Sequence, residues 1–158
     1  MLLSGIQCVW CFTINIYGET YIEAGGPYMV TCNVSQFKED RATYFYSEIS
    51  NIDQSVFTLR HSTTLGCFYL SGAYVLCQPG VCSCDIDGLA THWIYNTPAD
   101  LSSPVTFICS SSYNDGVSKS SEPWTPILPS KCVVFKLNTF VFCVLLRKKI
   151  MMRKYVHA

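Results

Sequence analysis

The chain holds ten cysteines, Cys8, Cys11, Cys32, Cys67, Cys77, Cys82, Cys84, Cys109, Cys132 and Cys143, and these are the residues best able to do chemistry. Thiols ligate metals, attack substrates or pair with one another. A structural zinc site uses repeated CxxC-type pairs, whereas Cys82 and Cys84 stand only two apart and His92 is the one imidazole near them. A catalytic thiol or hydroxyl needs a base beside it, and the three histidines, His61, His92 and His157, are scattered. No GxSxG, GxGxxG, GxxxxGK or HExxH motif occurs. The Asp85 to Gly88 stretch DIDG lacks the further oxygen positions and closing Glu of a calcium loop and reads as a polar turn. The expectation is therefore no enzyme, no cofactor and no metal. Pairing remains, and with it an oxidising, extracellular compartment.

Two of the thiols lie alone in β-rich runs. In YMVTCNVS, residues 28–35, strand alternation sends Tyr28, Val30, Cys32 and Val34 to one face. In PVTFICSS the same rule groups Val105, Phe107 and Cys109. Two packed sheets lie about 10 Å apart and can approach closely enough for their inward thiols to bond, so a Cys32 to Cys109 bridge is expected. Four more, Cys67, Cys77, Cys82 and Cys84, cluster in GCFYLSGAYVLCQPGVCSC and allow three pairings. The Pro79 to Gly80 turn would set Cys77 opposite Cys82 and leave Cys67 for Cys84.

Residues 13–128 alternate short β-branched or aromatic runs with Gly, Pro, Ser and Asn clusters, and none keeps a helical apolar period. This predicts an all-β protein of two antiparallel sheets. A Cys in an early β-run, the aromatics Tyr44, Phe45 and Tyr46 some twelve residues on, and a second Cys in a late β-run together resemble strands B, C and F of an immunoglobulin domain. HWIYNTPADLSSPVTFIC is similar to that family's E strand, E to F turn and F strand. The departures are a missing Trp after Cys32, Phe107 at the corner-tyrosine position and Ser103 at the position of its usual upstream Asp. The resemblance implies a variable-type, two-sheet sandwich with an inter-sheet disulfide. It also implies a recognition or adhesion domain that binds a protein or glycan through loops at one end. SYNDGVS is then the F to G hairpin, with Tyr113, Asn114 and Asp115 as ligand-contacting residues. A second reading belongs to another class: a small disulfide-stapled secreted effector or inhibitor whose working part is the 67–84 cluster.

The ends complete the expected organisation. Residues 1–12 resemble the late part of a secretory signal. The three prolines of SEPWTPILPS mark an edge segment and domain exit. Residues 129–158 form a tail, with the apolar run 132–146 as a short membrane-anchor candidate and a basic flank at 147–154. Charge divides the same way. Up to Ser130 eleven acids face four bases, a net −7, whereas the last 28 residues carry +7 with no acid. An acidic body argues against nucleic acid as its partner. The protein is thus expected to be secreted or held at the cell surface.

Asn33 opens the sequon NVS and alternates with inward Cys32, so it faces outward and is expected to carry a glycan in a secretory pathway. Endoglycosidase treatment of secreted protein should lower its apparent mass, and Asn33→Gln should abolish the shift. An equal shift in the variant refutes the assignment.

Overall fold

The computed structural model describes residues 12–36, 40–49, 53–129, 132–137 and 140–145. Of the expected signal remnant only Phe12 lies within them, and the basic flank at 147–154 lies outside. Phe12 is buried against Tyr113, with ring centroids 5.1 Å apart, and belongs to the core. The described residues form strands and turns with no helix. Two units separate, Met1–Ile127 and Leu128–Ala158.

The first unit is built from β1 (Ile14–Gly18), β2 (Pro27–Val34), β3 (Arg41–Ile49), β4 (Asp53–Ser62), β5 (Gly66–Ser71), β6 (Ala73–Leu76), β7 (Cys82–Cys84), β8 (Ala90–Asn96), β9 (Val105–Tyr113) and β10 (Ser118–Ser120). They make two antiparallel sheets, one ordered β1-β2-β8-β7 and the other β10-β9-β3-β4-β5-β6. Alternation along the central strands explains their burial. Tyr28, Val30, Cys32 and Val34 turn inward on β2, and Val105, Phe107 and Cys109 turn inward on β9. Cys32 is bonded to Cys109, with Cα atoms 6.1 Å apart.

Around this bond the two inner faces are filled with rings. Trp93 on β8 stacks on Phe57 of β4 at 5.3 Å and lies 5.8 Å from Phe45 of β3. Tyr28 on β2 stacks on Phe107 of β9 at 5.5 Å, and Tyr95 of β8 meets the same ring edge-on at 5.2 Å. Each such pair adds about 0.5–1.5 kcal/mol beyond the area it buries. The indole missing from the strand after Cys32 is thus supplied from the opposite sheet by Trp93, and Phe45 is fully buried beside it. Gly18 is required by close approach, because a Cβ there would sit 2.8 Å from the Met29 carbonyl oxygen.

The proline-rich exit bridges β9 and the segment between β1 and β2. Trp124 bridges Phe107 antiparallel, and Ile127 bridges Tyr21 parallel. Trp124 Nε1 also donates to the Tyr28 hydroxyl at 3.1 Å.

The second unit contains β11 (Cys132–Leu137) and β12 (Phe140–Leu145), paired antiparallel with Cys132 opposite Leu145 and Leu137 opposite Phe140. Within the run expected as a short membrane-anchor candidate, residues 132–137 and 140–145 are paired strands, as their Val and Phe content favours. No helix among the described residues is long and apolar enough to cross a membrane.

Non-reducing peptide mapping should recover Cys32 joined to Cys109, and Cys32→Ala/Cys109→Ala should cost about 4 kcal/mol in urea unfolding, given the 77-residue separation. A cost under about 1 kcal/mol would show that the bond adds little to the sheet packing.

Candidate ligand-binding site

β4, β5 and β6 extend the six-stranded sheet on one side, and their outer face carries several exposed apolar side chains. Alternation along β4 turns Leu59 and His61 inward and Arg60 outward. Register then places Arg60 opposite Phe68, and Phe68 opposite Leu76. Leu70 stands opposite Tyr74 on the same face. Further along, Tyr44 lies between Thr58 and Ser110, and Tyr46 between Val56 and Ile108. Val56, Leu70, Tyr74 and Leu76 are exposed. These exposed apolar groups lie on the outer face of neighbouring strands.

At the loop end of this face is a cavity of about 370 Å³, lined by Asp40, Arg60, Ser62, Thr64, Leu65, Phe68 and Tyr74. That size accommodates a small ligand group. Arg60 lies over the Tyr74 ring at 5.9 Å, which orients its guanidinium. The Ser62 and Thr64 hydroxyls are 3.2 Å apart. Asp40 holds a left-handed backbone, φ 57°, an uncommon conformation for a side-chain-bearing residue. Its carboxylate accepts a bond from Asn114 Nδ2 at 3.4 Å, linking the cavity rim to the β9–β10 turn.

Two disulfides hold this edge in place. Cys67 on β5 is bonded to Cys84 on β7, and Cys77, just past β6, to Cys82 at the start of β7. β7 belongs to the four-stranded sheet, so the outermost strands of the larger sheet are tied to the edge of the smaller one. Among the described residues no group of three His, Cys, Asp or Glu could hold a metal ion.

The expected loop residues separate into two environments. Asn114 and Asp115 are exposed in the turn that ends at Gly116. Tyr113 is instead buried, packed on Phe12, with its hydroxyl donating to the Gln36 carbonyl at 2.8 Å. Its position as the last inward residue of β9 explains this, and the ring is not a surface anchor. Asn33 is half-buried on the outer side of β2. His92 is also half-buried, its Nδ1 3.0 Å from the Thr31 hydroxyl and its Nε2 3.1 Å from Asp85 Oδ1.

Beneath the loop end lies a charged core. Arg41 is fully buried, and its Nη1 donates to the Leu89 carbonyl at 3.2 Å. Burial pulls its guanidinium below the ordinary value, opposed by Tyr113 and Asp87. His61 pairs with Arg41 across β3 and β4, and burial followed by the Arg41 charge lowers its pKa from 6.5, with Asp40 and Asp87 opposing. Sequence reading passed over Arg41, Arg60 and Tyr74. Arg60 in the outward phase beside inward Leu59 was the available signal.

No protein-family model and no curated protein matches this chain.

Because His61 takes up protons less readily in the folded state, its stabilising contribution is complete above about pH 6.5 and is lost as pH falls through its lower folded value. Thermal unfolding should shift to lower temperature between about pH 7.5 and about pH 5, with a flatter profile in His61→Gln. Parallel profiles would remove His61 as the cause.

Proposed function

We propose that the chain is an extracellular, variable-type immunoglobulin-like recognition domain that binds a protein or glycan, secreted or displayed at the cell surface. The observation that carries this is strand order. Labelling β1, β2, β7 and β8 as A, B, D and E makes the smaller sheet A-B-E-D. Labelling β3, β4, β5, β9 and β10 as C, C′, C″, F and G makes the larger one G-F-C-C′-C″ with β6 added. Under that labelling the order matches the one a variable-type domain would have, which supports the reading. The β2 to β9 disulfide then joins B to F, and the Trp124 bridge to Phe107 extends the pairing of G with F beyond β10. Three disulfides among the described residues favour an oxidising, extracellular setting.

Recognition is the role this arrangement serves best. The sheets are rigidly cross-linked, and the outer face of the larger one offers Tyr44, Tyr46, Val56 and Tyr74 to a partner, in a composition typical of contact surfaces. The 67–84 cluster pairs within itself and tethers sheet edges, which favours a supporting role for it over that of an effector's working part.

Fluorescent tetramers of the oxidised chain should stain cells that display the partner. Tyr46→Ser/Val56→Ser should reduce staining at least about tenfold, while Met29→Ser, exposed on the other sheet, should change it less than about twofold. Equal loss in both, with native disulfide maps, would overturn the choice of face, and absence of staining on a broad cell panel would overturn recognition itself.

A further inference from the structure

We infer that the cavity between Asp40, Arg60 and Tyr74 is a subsite for a single carboxylate-bearing sugar residue at the end of a glycan. The inference deepens the recognition reading and rests on it. Among the described residues of the first unit the bases are Arg41, Arg60 and Lys119. Arg41 is buried, and Lys119 Nζ donates to the Phe12 carbonyl at 2.9 Å. Arg60 is the remaining one, and it stands at the cavity wall without an acidic ion-pair partner among the described residues. A guanidinium there presents two parallel N–H donors, which match a carboxylate in a bidentate pair.

The rest of the lining selects a sugar as the carrier of that carboxylate. Phe68 and Tyr74 supply apolar ring surface for the C–H face of a pyranose, and Tyr74 is 51% exposed. Ser62 and Thr64 place two hydroxyls together, each able to donate and accept. Asp40 adds an acceptor for sugar hydroxyl donors on the rim. One cation, one anion, a hydroxyl pair and two rings around about 370 Å³ suit a compact polyol acid. An extended acidic peptide would need a longer groove and further bases, in a body whose residues up to Ser130 carry a net −7.

The test uses the full, oxidised chain titrated with free N-acetylneuraminic acid, glucuronic acid and galactose, followed by ligand-observed NMR. At least one acidic sugar should bind with a Kd on the order of 1 mM, and galactose at least about tenfold more weakly. Arg60→Ala should erase the preference for acid over neutral sugar. Arg60→Lys should keep part of it, because the charge remains while the fork is lost. Tyr74→Ala should weaken the acidic sugar at least about tenfold. Both residues are solvent-accessible, and an unchanged disulfide map in each variant establishes that it folds. Equal binding of acidic and neutral sugars, or unaltered preference in Arg60→Ala, overturns the inference. Absence of sugar binding up to about 50 mM does so as well, a ceiling well above the expected Kd. Tetramer staining that survives sialidase and glucuronidase treatment overturns the sugar subsite and leaves recognition standing, so the two failures are distinguishable.

Discussion

The structure depends on the contact between two inward faces at the Cys32–Cys109 bond and the rings that surround it. A sheet with one apolar face is not stable alone and must cover that face. Here the covering is reciprocal. Trp93 and Tyr28 from the smaller sheet fill the space over Phe45, Phe57 and Phe107 of the larger one. The disulfide adds a constraint of another kind, because it reduces the freedom of the unfolded chain across 77 residues. Packing sets the native geometry, and the bond limits the alternatives to it.

The same division of labour recurs at the edge that bears the cavity. β6 pairs with β5 alone, and β7 has only three residues. Short edge strands with exposed Tyr74 and Leu76 would fray if hydrogen bonds alone held them. The Cys67–Cys84 and Cys77–Cys82 bonds replace the burial that this corner lacks. An exposed binding surface and a small core make competing demands on apolar side chains, and covalent links reconcile them.

Arg41 illustrates a cost accepted in the interior. Its Nε and Nη2 find no hydrogen-bond partner among the described residues, while desolvation disfavours its charge. The position begins β3 directly after Asp40, whose left-handed backbone turns the chain onto the cavity rim. Strained backbone and a buried charge at adjacent residues concentrate unfavourable free energy at the loop end, where contact residues are expected to sit. The rest of the core, nearly all apolar or neutral, offsets it.

Alternation within a strand is a local property, so the inward phases of residues 28–34 and 105–109, the all-β class, the oxidising chemistry and the outward side of Asn33 could all be read from residue order. What depended on neighbours could not. Tyr113 looked like a loop aromatic until β9 proved to continue through it, which turned the ring into the core. The apolar run at 132–146 read as a short membrane-anchor candidate, and the strand pairing of 132–137 with 140–145 depends on contacts that residue order does not show. Trp93 gave no sign that it would supply the core indole, because the partner of an inward ring is set by which sheet faces it. The cavity was the least legible feature. Asp40 precedes β3, Arg60 and Ser62 lie on β4 and Tyr74 on β6, and only the registers of β3 with β4, β4 with β5 and β5 with β6 bring them together. Residue order determined which way each side chain points, and tertiary structure determined what it meets, because register and sheet order arise from contacts between segments far apart in the chain.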